Sequence, residues 1–294
     1  MFAKSIWERK AKLEMNHADS AQSSGVAHFR ALHESGCFVL PNPWDVGTAV
    51  YLQHLGFKAL ATTSAGFAFS RGLSDGKVAR DEMLAHIREI VAATRLPVNA
   101  DFLNGFAAEP EGVAANVKLC VATGAAGLSI EDSTGSAAAP LYEERLAIER
   151  VRAARQAIDD SKIPVVLTGR CEAWLVGHPD PLNVARRRLV AYAEAGADCL
   201  YAPGVREPDE IAELVKAVAP KPLNVLVSRP SDKLPVARLA DLGVRRISVG
   251  SALAAVAWGA FIRAAREIAE SGTFDFLSGA VPFAEINAIF DKQN

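Results

Sequence analysis

"RDEMLAHIREIVAATRLPVNAD", residues 80–101, joins the two patterns that decide the fold. Residues 80–94 carry apolar side chains three and four positions apart, which predicts an amphipathic helix. Residues 97–101 follow as a short run that ends in Asp101, and its apolar character on both faces predicts a buried strand. Helices that alternate with buried strands are typical of a parallel sheet covered by helices.

The same alternation recurs along the chain from residue 25 onward. Eight strands are predicted, at residues 37–40, 58–63, 97–101, 126–131, 164–169, 198–202, 222–227 and 246–250. Further helical patterns lie between them, for example at 140–160 and 182–196, and glycine ends several of them. Eight units in about 250 residues predict an α/β fold, a closed (β/α)8 TIM barrel. An open dinucleotide-binding sheet is disfavoured because no G-x-G-x-x-G motif follows the first strand.

Both ends of the chain extend beyond the barrel pattern. Residues 1–24 are polar and carry both charge signs, which predicts a flexible N-terminal tail. Residues 25–294 are predicted to form one barrel domain with a C-terminal helical extension from about residue 272. The apolar stretches 252–272 and 280–290 must be buried somewhere. They either pack on their own chain, at the barrel bottom, or form a docking surface for another subunit.

Composition excludes several classes of function. The 294 residues carry a net charge of -2 without a long basic tract, so neither nucleic acid nor an anionic membrane is an expected partner. No apolar run approaches the roughly 20 residues that span a bilayer. The four cysteines form no C-x-x-C pair, which predicts reduced thiols and a cytoplasmic location.

Polar residues stand at the carboxyl ends of the predicted strands, where (β/α)8 enzymes place their chemistry. They are Trp44 and Asp45, Ser64 and Gly66, Asp101, Glu131 and Asp132, Arg170 and Glu172, Tyr201, Asn224 with Ser228, and Gly250 with Ser251. Acids that end strands three, four and five face one mouth and repel each other unless a cation or an arginine lies among them. Carboxylate and amide oxygens favour Mg²⁺, with Mn²⁺ as the alternative.

Other chemistries lack a required residue. None of the six histidines stands at a strand end, which disfavours zinc. The lysines beside strands two, five and seven precede those strands, so a Schiff-base mechanism lacks its amine. Cys171 has no histidine placed to activate it as a nucleophile. A metal-stabilised anion is the chemistry that remains.

Seven motifs in order resemble the isocitrate lyase and phosphoenolpyruvate mutase superfamily over residues 25–290. They are "PNPWDVGTAV", "TTSAGFAFSRGLSDG", "VNADFLNGF", "GLSIEDS", "LTGRCEAWL", "PLNVLV" and "LGVRRISVG". The resemblance implies binding of a small 2-oxo or 2-hydroxy carboxylate around Mg²⁺, and cleavage or formation of a C–C or P–C bond through an enolate. It also implies a trailing helix, residues 282–290, exchanged between the subunits of a homo-oligomer, a dimer or a homotetramer.

The resemblance assigns roles to individual residues. Catalytic roles fall on Ser64, Asp75 and Arg170; substrate contacts on Trp44, Asp45, Ser64, Gly66, Arg170 and Asn224; and the metal on Asp101 and Glu131. Ser64 and Gly66 resemble the pair whose backbone amides hold the substrate, and Asp75 resembles the loop aspartate that leans over the metal. Arg170 resembles the arginine that holds the enolate and a carboxylate.

Two departures narrow the implied function. Asn99 stands where the family motif has an aspartate, which should weaken or reshape metal binding. The loop "EDSTGSAAAPLYEE" lacks the Lys-Lys-Cys-Gly-His motif of isocitrate and methylisocitrate lyases, so the chain is not expected to be one of them. A Mg²⁺-dependent carbon–carbon lyase acting through an enolate is therefore expected.

Three alternatives stay open. One is a P–C mutase or hydrolase acting on a phosphonopyruvate-like substrate, and another is a non-catalytic carboxylate-binding barrel. A third is a phosphate site at Gly250 and Ser251, where a helix begins.

Overall fold

A computed structural model describes residues 22–231 and 233–291. The predicted tail, residues 1–24, lies largely outside this part of the chain. Its last three residues, 22–24, belong to a helix, α1, at residues 22–32. The Gln22 side chain fixes this helix to the body of the protein by donating to the Val121 and Ala125 carbonyls at 2.8 and 3.2 Å.

The described residues contain one eight-stranded parallel sheet, as the sequence predicts. Its strands are β1 Phe38–Leu40, β2 Leu60–Ala61, β3 Val98–Asp101, β4 Gly127–Glu131, β5 Val166–Arg170, β6 Cys199–Tyr201, β7 Leu223–Leu226 and β8 Arg246–Ser248. The strand order is β1-β8-β7-β6-β5-β4-β3-β2, so consecutive strands are neighbours. A hydrogen bond of 3.0 Å from the Ala61 amide to the Pro41 carbonyl joins the two ends of this order. The sheet is therefore a nearly closed (β/α)8 barrel, and a doubly wound sheet is excluded.

Helices cover the barrel and extend its C-terminus. After α1 they are α2 Val46–His54, α3 Ser64–Ser70, α4 Arg80–Ala92, α5 Pro110–Val121, α6 Glu144–Ser161, α7 Pro181–Glu194, α8 Pro208–Val218, α9 Val236–Asp241, α10 Ala252–Ser271, the 3₁₀ helix Asp275–Gly279 and α11 Phe283–Asp291. Proline occupies the first helical position of α5, α7 and α8, where its missing N–H removes no helical hydrogen bond.

Strand register brings polar residues of four neighbouring strands into one row. Glu131 on β4 pairs with Arg170 on β5, Arg170 pairs with Tyr201 on β6, and Tyr201 pairs with Asn224 on β7. Because the strands are parallel, this row lies at one end of the barrel, the carboxyl end. Asp101 closes β3 at the same end, so the predicted site residues start from adjacent backbone positions.

The chain beyond the barrel packs little on its own domain. Ala254 is the one buried residue in α10 among the described positions, and α11 buries none. Large apolar side chains are exposed along this segment, with Val256 71%, Phe261 61% and Phe283 80% accessible. The monomer therefore leaves an apolar helical surface uncovered.

Two further features bear on the predicted class of protein. No helix in the described part of the chain is both long enough and apolar enough to cross a bilayer. All four cysteines are unpaired, three of them buried.

Candidate active site

Arg170 lies at the centre of a group of carboxylates at the barrel mouth. Its Nη1 lies 3.3 Å from Asp101 Oδ1 and 3.2 Å from Glu131 Oε2, and its Nε donates to Glu172 Oε1. The arginine and all three acids have side chains less than a fifth exposed. Burial alone would lower the pKa of Arg170, but Glu172 and Glu131 raise it above its ordinary value. The guanidinium is therefore a fixed positive charge inside a ring of acids.

Glu131 carries an unsatisfied oxygen toward this centre. Its Oε2 is buried and receives no hydrogen bond. Arg170 Nη1 lies within ion-pair distance of this oxygen, but the geometry of the pair is not that of a hydrogen bond. Burial raises the pKa of Glu131, repulsion from Glu172 and Asp101 adds to the rise, and Arg170 opposes it. A buried carboxylate oxygen without a donor is costly, and a cation would satisfy it.

Asp101 joins the acids to the loop after β2. Its Oδ2 accepts a hydrogen bond of 2.9 Å from the Ser64 amide. Asp75 lies on the loop after α3, lines the same mouth as Asp101 and is hydrogen-bonded to the Ser64 side chain. Partial burial of its carboxylate and repulsion from Asp101 raise the pKa of Asp75. Four acids, Asp75, Asp101, Glu131 and Glu172, are thus gathered around the single guanidinium of Arg170.

This donor set fits magnesium better than a tighter-binding metal. No three His, Cys, Asp or Glu side chains within residues 22–231 and 233–291 form a ready-made metal cage. Mg²⁺ does not require one, since it keeps several waters and binds through one or two carboxylates together with substrate oxygens. Asp101 and the unsatisfied oxygen of Glu131 supply oxygen ligands of this kind.

A cavity of about 160 Å³ opens beside these acids. Its polar lining consists of Asn42, Thr62, Thr63, Ser64, Asp75, Asn99, Asp101, Ser129, Arg170, Tyr201, Asn224, Arg246, Ser248 and Ser251. The predicted Ser64, Asp75, Asp101, Arg170 and Asn224 therefore share one cavity, and Glu131 adjoins it through Arg170. The size suits a small polar molecule.

Three predicted substrate contacts lie elsewhere. Asp45 is the N-cap of α2, where its carboxylate accepts from the Thr48 amide at 2.7 Å, and neither Asp45 nor Trp44 lines the cavity. The Gly66 amide donates to Thr63 Oγ1 at 3.2 Å, as part of the cap of α3. The Ser64 amide is likewise engaged, with Asp101. Ala65, between the two predicted amides, is the residue of this turn that lines the cavity.

Asn224 reaches the cavity but both ends of its amide are engaged. Its Oδ1 accepts from Arg246 Nε and its Nδ2 donates to Ser248 Oγ, each at 2.9 Å. Arg246 is 2% exposed and also donates to Thr168 Oγ1 at 3.0 Å. Its Nη1 lies 3.3 Å from His33 Nε2, and burial together with Arg246 lowers the pKa of His33 to about 3. A chain of polar side chains thus crosses the barrel beneath the cavity.

Asp132, next to Glu131, faces the helix layer instead of the cavity. Its Oδ2 accepts from Arg188 Nη1 at 2.9 Å and from Tyr192 Oη at 2.7 Å, while its Oδ1 accepts the Glu172 amide at 2.9 Å. Residues next to each other on a strand point to opposite faces. Asp132 therefore fixes the backbone of Glu172, the acid that holds Arg170.

Three site residues received no role in the sequence-based prediction, although Glu172 was among the polar residues at the strand ends. Glu172 follows Arg170 by two positions, a spacing that places both on one face of an extended segment. Asn42 holds strand ends together, donating to the Thr62 carbonyl at 2.9 Å and accepting from the Gly250 amide at 2.8 Å. Arg246 begins β8, where nothing in the local sequence indicates an inward-pointing charge.

Comparisons with known proteins agree with this site. The family model described as phosphoenolpyruvate phosphomutase matches residues 29–269. A crystal structure from Burkholderia cenocepacia, of a protein provisionally named a lyase/mutase, is 49% identical, with a TM-score of 0.88 over 92% of this chain and 97% of that one. The 2-methylisocitrate lyase of Escherichia coli is 32% identical over 66% of this chain and 65% of its own length.

A third relative bears on the ligands. The structure of a phosphonopyruvate hydrolase in complex with oxalate and Mg²⁺ is 25% identical, with a TM-score of 0.79 over 92% of this chain and 95% of that one. Members of the superfamily thus include lyases, mutases and hydrolases that act on oxo-acids. The barrel, the cluster around Arg170 and the family match lead to one conclusion: the chain belongs to the phosphoenolpyruvate phosphomutase family, within the isocitrate lyase/phosphoenolpyruvate mutase superfamily.

Proposed function

We propose that this protein is a Mg²⁺-dependent lyase that cleaves a carbon–carbon bond of a small 2-oxo or 2-hydroxy carboxylate through an enolate. The observation that carries the proposal is the buried, unsatisfied Oε2 of Glu131 beside Asp101 and Arg170. An excess of acids around one arginine, at a cavity for a small molecule, suits a dication and an anionic substrate together.

Each residue of the cluster has a distinct task in this proposal. Asp101 and Glu131 would hold the metal, directly or through water, and Asp75 would close over it from its loop. When bound, the metal supplies a Lewis acid for the charge that develops on the substrate's oxo group. Arg170 presents a planar guanidinium that matches a carboxylate or enolate. Glu172 keeps that guanidinium in place, because their hydrogen bond is buried on both sides.

Preorganisation is what makes the cluster useful for catalysis. Arg170 is held by three acids and by the Tyr201 ring, whose centroid lies 5.2 Å from the guanidinium carbon. A donor that is fixed before the substrate arrives needs no reorganisation as charge develops. One such donor lowers the activation barrier by about 3 kcal/mol. Loss of the Arg170 fork should therefore reduce turnover more than substrate affinity.

Oxalate, a planar dianion like a pyruvate enolate, provides the first test. We expect calorimetric titration to show tight oxalate binding with Mg²⁺ and at least tenfold weaker binding with EDTA. Asp101→Ala should remove the metal dependence, whereas Asp159→Ala, on the exposed face of α6, should not. Equal oxalate affinity with and without Mg²⁺ in the unmodified protein contradicts the proposal.

A substrate screen then separates the lyase from its alternatives. A panel of 2-oxo and 2-hydroxy diacids is incubated with Mg²⁺, and pyruvate or glyoxylate formation is followed. Release of phosphate from phosphonopyruvate, without C–C cleavage of any diacid, would instead support the P–C enzyme. Metal-dependent oxalate binding without turnover of any compound would support a carboxylate-binding barrel.

We also propose that the protein is a homo-oligomer, a dimer or tetramer, in which a second copy covers the C-terminal helices. The support is the apolar surface of α10 and α11, including Phe283, which the monomer leaves 80% accessible. Light scattering after size-exclusion chromatography should give a multiple of 31.3 kDa. Phe283→Asp should shift that mass downward, whereas a monomeric unmodified protein contradicts the proposal.

A cytoplasmic location completes the proposed function. Its support is the four unpaired cysteines, since thiols persist in reducing compartments. Fractionation of cells that express the tagged full chain tests it, and recovery outside the cytoplasmic fraction would contradict it.

A further inference from the structure

Tyr201 places a phenol on the wall of the cavity, next to Arg170. It ends β6, is 9% exposed and lines the cavity that also contains Ser64 and Asp101. The Arg170 guanidinium lies over its ring. The roles assigned above bind substrate, metal and negative charge, but none of them supplies the proton that an enolate needs to become a product.

The hydrogen bonds beneath Tyr201 have a defined direction. Arg246 can only donate, so the Asn224 atom facing its Nε is the amide oxygen, and the Nδ2 therefore donates to Ser248 Oγ. Accepting that bond leaves the Ser248 hydroxyl its own hydrogen, and as a donor it would stabilise the tyrosinate form of Tyr201. Tyr201 lines the cavity, so its phenol can give a proton to a ligand there while Ser248 supports the oxygen left behind.

Few other lining groups can transfer a proton. The residues that line the cavity, within the described part of the chain, include no histidine, cysteine or lysine. Both Asp101 oxygens accept hydrogen bonds, from the Ser64 amide and from Arg170. Asp75 is the rival donor, but it lies on the loop beside Asp101, on the side of the proposed metal.

We infer that, in the lyase reaction proposed above, Tyr201 donates its phenolic proton to the carbon of the enolate. The carbon–carbon π electrons of the enolate form the new C–H bond, the enolate oxygen becomes the oxo group of the product, and the O–H bond of Tyr201 breaks. The resulting tyrosinate faces the Ser248 hydroxyl and the Arg170 guanidinium, which stabilise its charge. It recovers a proton from water after the product leaves.

The electrostatic environment is consistent with a donor. Burial raises the pKa of Tyr201 to about 12, while Arg170 and the Ser248 hydrogen bond oppose the rise. The phenol is therefore protonated throughout the neutral range and serves as an acid in the forward reaction. The same phenol, as tyrosinate, would remove a proton from the product in the reverse direction.

Exchange of pyruvate methyl hydrogens in D₂O tests this inference, because it requires proton transfer at carbon without C–C cleavage. We expect the unmodified protein with Mg²⁺ to exchange these hydrogens for deuterium, and ¹H NMR follows the loss of the methyl signal. Tyr201→Phe keeps the ring beneath Arg170 and removes only the hydroxyl. It should slow exchange by about 100-fold or more, the usual contribution of a general acid or base. Its oxalate affinity with Mg²⁺ should remain within about threefold of the unmodified value, since oxalate needs no proton.

Control variants separate the outcomes. Tyr51→Phe, on the outer surface of α2, should exchange like the unmodified protein. Exchange by Tyr201→Phe at the unmodified rate overturns the inference, as does loss of oxalate binding in that variant, which would indicate a role in shaping the site. If Tyr201→Phe still exchanges the pyruvate hydrogens and Asp75→Asn does not, the proton donor is Asp75. Oxalate binding by the unmodified protein without pyruvate exchange refutes the Tyr201 step alone, whereas failure of Mg²⁺-dependent oxalate binding refutes the proposed function itself.

Discussion

His86 should make the protein's stability depend on pH in a way that one substitution removes. The side chain lies on α4, is 3% exposed and stacks on the Phe67 ring at 3.8 Å and 6°. Its Nε2 is buried without a hydrogen-bond partner. Burial lowers the pKa of His86 from 6.5 to about 4, with a small opposing effect of Asp45. Folding therefore keeps this imidazole neutral at pH values where the unfolded chain is protonated.

The sign and size of the effect follow from proton linkage. The contribution of His86 is fully present above pH 6.5 and is lost as the pH falls toward 4, because only the unfolded state gains the proton in that window. The loss is about 1.4 kcal/mol per pH unit, or ~2 kcal/mol between pH 7.5 and 5.0. Glu131 and Glu172, whose pKa values burial raises, change stability in the opposite direction.

A comparison of variants isolates the histidine from these acids. Free energies of unfolding in urea are measured at pH 7.5 and 5.0, at one protein concentration, for the unmodified chain, His86→Phe and His54→Phe. The unmodified protein should lose about 2 kcal/mol more than His86→Phe between the two pH values, since the acids are common to both. His54→Phe, at an exposed position, should behave like the unmodified protein. Equal pH dependence of the unmodified protein and His86→Phe would refute the reasoning.

Three further predictions concern the site and its supports. Asp132→Asn should lower the free energy of urea unfolding by about 3 kcal/mol, because it removes the buried counter-charge of Arg188 and leaves only Glu144 at 3.9 Å, whereas Asp159→Asn on the surface should change it by less than about 0.5 kcal/mol. Asn99→Asp should tighten Mg²⁺ in the presence of oxalate by on the order of tenfold, because it adds a charge to the cavity lining, and unchanged calorimetric affinity would contradict this role. Gly127→Ala should destabilise by about 1–3 kcal/mol, since its methyl would lie 2.6 Å from Asn99 Oδ1. Gly25→Ala, in open space on α1, is its control in thermal unfolding and should not lower the melting temperature.

The barrel could be predicted from the sequence because its strands are short, apolar on both faces and separated by helical patterns. Every predicted strand overlaps an observed one, with ends that differ by up to two residues. Residues that the sequence analysis assigned to the site lie together where position along a strand determines direction. Asp101, Glu131 and Arg170 converge because each ends a parallel strand of one barrel.

Other assigned residues do not line the cavity, and a local hydrogen bond engages each of the two discussed next. Asp45 begins a helix, and the Asp-x-x-Thr spacing with Thr48 was a capping signal that competed with the substrate assignment. The Gly66 amide is used by the Thr63 cap of the next helix. Arg246 could not be anticipated, because its partners Thr168 and His33 are 78 and 213 residues away in the chain.

Arg150 has a consequence for the cost of ligand binding. This buried residue of α6 donates to the carbonyls of Asn104, Ala107 and Ala108, and its guanidinium lies 3.9 Å from the centre of the Tyr142 ring. The segment that leaves Asp101 is thereby fastened before any ligand arrives. Ordering a free loop would subtract conformational entropy from the affinity of every substrate. In this barrel Arg150 orders the segment when the chain folds, so ligand binding does not bear that entropy loss. A shorter or longer segment would lose the contacts with Arg150, and ligand affinity would then bear the loss.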